Sequence, residues 1–191
     1  MTEAQVKELF IKTNAIMEGH FLLTSGLHSP MYVEKFNVLQ HPVYTEQLCT
    51  ALAEKFADQK IQTVVGPVTG GILLAHEVGK ALGTRAIFTE RENGKMAFRR
   101  GFKLEKGERV LIVEDIVTTG GSVKEVIDVV KAQGAIPVAV GMLVDRSGGA
   151  ANFAEVPYQA LLYLDVTTYP AASCPLCAAA VPMTKRGRTG K

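Results

Sequence analysis

Two adjacent carboxylates, Glu114 and Asp115, are followed after Ile116 and Val117 by Thr118-Thr119-Gly120-Gly121-Ser122. The glycines can take positive φ and let backbone N–H groups come close to a ligand. Thr118, Thr119 and Ser122 add hydroxyl donors. If a helix begins here, its N-terminus also favours an anion. That combination makes a cradle for a phosphate monoester. Two carboxylates beside a phosphate repel it unless something lies between, such as ribose hydroxyls or a magnesium ion. Phosphate, sugar diol and metal together describe a phosphorylated ribose. The plainer reading is a strand–helix turn whose glycines serve only the turn. A pair of acids before a hydroxyl- and glycine-rich turn is unusual for that. The segment is not a Walker A loop, because no lysine precedes Ser122, and it is not GxGxxG.

The flanking residues must place this loop. Val110-Leu111-Ile112-Val113 is an apolar run expected to form a strand buried on both faces. Val123, Val126, Ile127 and Val130 follow at helical spacing, and Ser122 with Glu125 has the pattern of a capping box. Further strands are expected at Ile61 to Val65, Arg85 to Phe88, Ile136 to Val144 and Gln159 to Leu164, with a helix from Ile72 to Leu82. The fold class is therefore α/β, a parallel five-stranded central sheet with helices on both faces. Ligands on such sheets bind at the carboxyl ends of the strands. That rim would carry Glu114 to Ser122, the loop Gly66-Pro67-Val68-Thr69-Gly70-Gly71, and Asp145-Arg146. The Gly66–Gly71 loop is a second candidate anion nest, its alternative being an ordinary turn.

Before the alternation, residues 2 to 17 read as an amphipathic helix with a capping box at Thr2 and Gln5. Gly19 to Val33 reads as a hairpin around Thr24-Ser25-Gly26, and Pro42 to about Phe56 as a second helix. The expected division is a small N-terminal cap at 1–40, a core at 41–170 with a lid at 89–102, and a C-terminal segment at 171–191.

The 89–102 segment holds Arg91, Lys95, Arg99 and Arg100 around an Asn93-Gly94 turn signal. A solvated charged hairpin is one reading. The other is a lid that brings cations to a leaving pyrophosphate. Arg146 can offer a bidentate fork to a carboxylate or a carbonyl pair, against the plain reading of a surface arginine at a strand end. His76-Glu77 is not HExxH, because residue 80 is Lys, so His76 reads as a packed or solvated histidine. Cys174-Pro-Leu-Cys177 is a lone CxxC with no second cysteine pair to complete a zinc site, so two ordinary thiols are expected. The basic tail from Lys185 to Lys191 reads as frayed, an RNA-contacting tail being the sharper alternative.

The chain has 191 residues, 47% hydrophobic and 21% charged, as in a globular domain with one full core. Its net charge of +2 does not point to nucleic acid. No apolar run reaches transmembrane length and no signal-peptide pattern opens the chain. Three cysteines without a disulfide framework fit a reducing cytoplasm.

The segment from Val110 to Ser122 resembles the phosphoribosyl-diphosphate (PRPP) motif of the type I phosphoribosyltransferases. Phe21-Leu-Leu-Thr-Ser-Gly-Leu-His-Ser-Pro-Met-Tyr32 resembles the N-terminal hood of the orotate phosphoribosyltransferases. The resemblance continues in order through Gly-Pro-Val-Thr-Gly-Gly and Asp-Arg-Ser-Gly-Gly, from about Gly19 to Gly149. It implies transfer of the phosphoribosyl group from PRPP to orotate, giving orotidine 5′-monophosphate and pyrophosphate in pyrimidine synthesis.

The resemblance also implies site residues. PRPP would be held by Glu114, Asp115, Ile116, Val117, Thr118, Thr119, Gly120, Gly121 and Ser122, with the two acids on the ribose hydroxyls and Thr118 to Ser122 on the 5′-phosphate. Orotate would meet Thr118 and Arg146, and the Gly66–Gly71 loop would take pyrophosphate. Arg91 and Lys95 become the candidate catalytic cations of a lid that, in the family, crosses a homodimer. Mg²⁺ would arrive with PRPP, with no protein-only cage and no nucleic-acid or membrane partner. Many members carry a lysine where this chain has Thr24, and another where it has Gly70. The alternatives are a purine phosphoribosyltransferase on the same scaffold, which substrate competition separates, and a nucleic-acid-binding regulator that senses PRPP, which a salt-dependent binding assay separates.

Overall fold

A computed structural model describes residues 1–185. The chain opens with α1 (Glu3–Lys12), capped by the expected box: Gln5 N donates to Thr2 Oγ1 and Thr2 N donates to Gln5 Oε1. The helix is shorter than its periodicity predicts. Asn14 turns back with φ of 53°, and Ile16 opens a strand instead. That strand, β1 (Ile16–Leu22), pairs antiparallel with β2 (His28–Val33), giving the predicted hairpin. Two helices follow, α2 (Phe36–Leu39) and α3 (Pro42–Glu54), the latter with Pro42 in its first turn as expected.

The α/β alternation then runs β3 (Thr63–Pro67), α4 (Gly70–Leu82), β4 (Arg85–Glu92), β5 (Lys95–Phe98), β6 (Arg109–Val117), α5 (Gly121–Ala132), β7 (Ile136–Asp145) and β8 (Tyr158–Tyr163). The sheet order is β5-β4-β3-β6-β7-β8. Five of these strands are parallel, as expected, and β5 adds an antiparallel edge strand by folding back on β4. The turn between them, Asn93 and Gly94, has both φ positive, which suits a tight two-residue hairpin.

The sheet is covered on both faces. Val6, Phe10, Leu48, Leu52, Phe56, Leu74 and Val78 from α1, α3, α4 and the residues just after α3 pack with Leu111 and Val113 of β6. Val123, Val126, Ile127 and Val130 of α5 pack with Val110 and Ile112 of the same strand. The alternation along β6 thus sends successive residues into opposite layers, and both layers are apolar.

After β8 the chain returns to the hood through α6 (Pro175–Ala178) and β9 (Met183–Lys185). Strand β9 pairs with β1, so the hood is a three-stranded sheet ordered β2-β1-β9. The predicted basic tail lies outside the described residues beyond Lys185. Among the described residues no helix is long and apolar enough to cross a membrane.

Candidate active site

Strand β6 carries the two carboxylates further than the sequence suggests. They do not end the strand: Glu114 pairs with Met142 and Ile116 with Val144, so β6 continues to Val117. Glu114 and Asp115 are therefore fixed in the sheet and buried. Burial, together with the charge of Asp115, pushes Glu114 up to about 8. Burial also raises Asp115, against the opposing pull of Lys35. Lys35 Nζ donates to Asp115 Oδ1 at 2.9 Å, and Ile116 N donates to the same oxygen at 2.7 Å. The other oxygen, Oδ2, is buried without a hydrogen-bond partner. A Cβ added at Gly70 would lie 1.8 Å from it, so Oδ2 is aimed at the Gly66–Gly71 loop.

The loop after β6 begins its helix differently from the capping-box expectation. Gly120, with φ of 75°, is the residue before the first turn, and no side chain caps α5. A Cβ at Gly120 would meet the Phe153 ring at 2.8 Å, so a glycine is required there on two counts. Ser122 lies inside the helix, and Glu125 is occupied elsewhere by Arg91 and Met96 N. The first-turn N–H groups of α5 are thus left for a ligand. Glu114 and residues 116–123 line a cavity of about 80 Å³ here, and Thr118 and Thr119 are exposed on it.

Thr69 precedes α4 without a side-chain cap, and the Val68–Thr69 peptide is cis. The loop is drawn tight: a Cβ at Gly66 would lie 2.1 Å from the Gly71 carbonyl oxygen. Arg146 follows the end of β7, half-buried, its N–H donating to the Val117 carbonyl at 2.8 Å. Its Nε is buried without a partner. Burial lowers its pKa from the ordinary arginine value, and Tyr32 of the hood opposes that fall. The structure thus gathers Glu114 to Ser122, the Gly66–Gly71 loop and Arg146 on one rim, as the sequence suggests.

The lid cations are arranged differently. Arg91 makes a fork to Glu125 at 2.9 and 3.0 Å, Arg100 a fork to Glu90, and Arg99 an ion pair with Glu92. Lys95 alone of the four has no ion pair among the described residues. None of the four bonds to Glu114–Ser122. His76 is exposed beside Glu77.

Lys35 was outside the sequence-based candidates. It lies 80 residues from Asp115 and in no recognised pattern. Cys174 and Cys177 were expected to be ordinary thiols because no second cysteine pair exists. The structure instead brings two hood histidines, His20 and His28, against them.

The donor set suits a magnesium–PRPP ligand. Two carboxylates, one with a bare buried oxygen, offer hard oxygen atoms to a cation or a diol, next to uncapped N–H groups for phosphate.

Comparisons with known proteins agree with this geometry. Residues 37–160 match the phosphoribosyl transferase domain. The orotate phosphoribosyltransferase of Desulforamulus reducens is 54% identical over 98% of this chain and 97% of its own. That of Pelotomaculum thermopropionicum is 49% identical, covering 98% of each. The crystal structure of Mycobacterium tuberculosis orotate phosphoribosyltransferase with inorganic phosphate superposes with a TM-score of 0.69 at 27% identity, over 85% of this chain and 95% of that one. A rim of paired acids, uncapped glycine loops and a half-buried arginine, on a chain so similar to these enzymes, places the protein in the phosphoribosyltransferase family, among the orotate phosphoribosyltransferases.

Proposed function

We propose that the chain transfers the 5-phosphoribosyl group of PRPP to orotate through the residues of this rim. The observation that carries the assignment is Asp115 Oδ2, a buried carboxylate oxygen with no partner, aimed at the Gly66–Gly71 loop. An unpaired buried acceptor costs free energy unless a ligand completes it. A ribose hydroxyl is such a donor.

In this reading Glu114 and Asp115 accept hydrogen bonds from the ribose diol and fix the sugar. The N–H groups of Gly121 to Val123, with Thr118, Thr119 and Ser122, take the 5′-phosphate. Ile116 and Val117 set the loop's path. Arg146 and Thr118 hold the orotate carboxylate and carbonyls, which orients the ring nitrogen toward C1′. The bond from C1′ to the diphosphate stretches first, so the transition state has oxocarbenium character and needs positioning more than a nucleophilic side chain. Backbone N–H groups of the Gly66–Gly71 loop and the lid cation Lys95 stabilise charge growing on the diphosphate. Mg²⁺, carried in with the diphosphate, would neutralise part of the same charge.

The lid roles divide by their partners. Arg91, forked to Glu125, ties the hairpin to α5, and Lys95, without an ion pair among the described residues, is the cation left for the diphosphate. A cytoplasmic homodimer in which this hairpin serves the neighbouring subunit is the proposed setting. The test is Asp115→Asn. It should cut kcat/KM for PRPP by about 10²–10³-fold while the fold persists by circular dichroism. An unchanged kcat/KM would remove Asp115 from the site.

A further inference from the structure

The chain has 4 histidines and 3 cysteines. Half of those histidines and two of those cysteines meet at one point. His20 of β1, His28 of β2, and Cys174 and Cys177 around α6 present ligand atoms that all lie within 4.8 Å of one another. His20 Nε2 is 2.8 Å from His28 Nδ1, and Cys177 Sγ is 3.3 Å from His28 Nδ1. Both Cys174 Sγ and Cys177 Sγ are 3.8 Å from His20 Nε2. His20, His28 and Cys174 are buried, and Cys177 is exposed.

We propose that His20, His28, Cys174 and Cys177 form a structural zinc site that clamps the C-terminal segment to the hood. The donor set is the first reason. Two thiols and two imidazoles gathered within 4.8 Å of one another match tetrahedral zinc, which takes Cys₂His₂ sets in structural sites. Hard cations prefer oxygen, and there is none in this group.

Size is the second reason. Zinc–nitrogen bonds of about 2.0–2.1 Å and zinc–sulfur bonds of about 2.3 Å give tetrahedral edges of about 3.3–3.8 Å. The sulfur–nitrogen separations of 3.3 and 3.8 Å sit in that range; the imidazole pair must open from 2.8 Å, and the widest separation, within 4.8 Å, must draw in.

The third reason is orientation. His20 Nδ1 lies 2.8 Å from the Val181 carbonyl oxygen. Donation to that oxygen places the hydrogen on Nδ1 and leaves the Nε2 lone pair facing the cluster. A backbone carbonyl on the far ring nitrogen is the usual support of a metal-bound histidine. Sequence distance is the fourth. The histidines and cysteines are separated by about 150 residues, so local structure gives no reason for them to coincide. Cys49 shows the contrast: it is a core thiol, pushed by burial up to about 12, with no such partners.

The clamp would have a defined consequence. Strand β9 is short and exposed, and pairs with β1 through only three residues. A tetrahedral metal joining α6 to β1 and β2 supplies the anchorage that pairing lacks. Cys174 and Cys177 would bind as thiolates and His20 and His28 as neutral rings, releasing the thiol protons to solvent.

The experiment uses the full chain purified under reducing conditions without chelator, from cells grown with added zinc. Metal is measured by inductively coupled plasma mass spectrometry. About one zinc per chain should survive desalting. Removing it with a chelator should lower the Tm, and returning zinc should restore it. Cobalt(II) in place of zinc should give the visible bands of a tetrahedral thiolate site. Cys177→Ser, at the exposed position, should lose the metal and the cobalt bands, and His28→Gln should do the same if Cys177→Ser fails to fold. Release of zinc from the wild-type chain by a thiol-modifying reagent, read with a chromogenic chelator, needs no variant at all. A reduced protein that holds neither metal, or a metal retained in both variants, would overturn the proposal. None of these readouts depends on the transferase reaction, so either assignment can fail alone.

Discussion

Lys35 Nζ stands 2.9 Å from Asp115 Oδ1, joining the end of the hood to the acidic pair of the central strand. The lysine is about a third exposed (32%) and the aspartate buried (3%), so the pair sits at the edge between solvent and core. It ties the hood to the residue proposed to face the ribose. Removing the lysine leaves a buried carboxylate without its cation. Lys35→Ala should therefore cost about 1–3 kcal/mol in denaturant unfolding and raise KM for PRPP more than it lowers kcat. Wild-type stability and KM in this variant would show that the pair is incidental.

Glu114 makes stability depend on pH. Its ordinary value of 4.5 rises to about 8 in the folded chain, through burial and the neighbouring Asp115. Between those values the folded state binds a proton that the unfolded state releases. The stability this provides is complete below 4.5 and drains away as pH rises through about 8. Glu114→Gln cannot ionise. It should melt above the wild type at about pH 9 and closer to it at about pH 5. Thermal melts across that range check the sign, and parallel curves would contradict it.

Gly70 is confined by Asp115. Any side chain there starts 1.8 Å from Oδ2, which something must vacate. That gives a physical account of why this chain has no lysine at Gly70. Gly70→Ala should lower kcat/KM for PRPP at least about tenfold by displacing the carboxylate, and Gly70→Lys should be no better. Full activity in the lysine variant would mean that the loop and Asp115 are not coupled.

The lid cations should separate by kinetics. Lys95→Ala should lower kcat by about 10²–10³-fold with little change in KM for orotate. Arg91→Ala should have a smaller effect, matched by Glu125→Gln, because both break one fork. If Arg91→Ala is as damaging as Lys95→Ala while Glu125→Gln is silent, Arg91 itself reaches the diphosphate.

The central sheet was legible because its strands are apolar on both faces, and runs such as Val110 to Val113 cannot sit elsewhere. Their ends were less legible. Strand β6 runs on to Val117 because pairing with β7 tolerates two acids, which hydrophobicity does not reveal. Ile16 keeps helical spacing yet starts a strand, since the chain reverses at Asn14. Ser122 and Glu125 have the spacing of a capping box, but Gly120 starts the helix and Arg91 claims Glu125. The rim itself was readable from motif order. Lys35 and the histidines beside Cys174 were not, because contacts across 80 residues or more leave no local pattern.

The most direct measurement follows orotate absorbance after addition of PRPP and Mg²⁺, with adenine, guanine and uracil run in parallel. The account predicts loss of the orotate signal only when PRPP and Mg²⁺ are both present, with orotidine 5′-monophosphate as product and the other bases inert. Orotate left unchanged by a folded protein that still binds PRPP, or turnover of adenine instead, would contradict it.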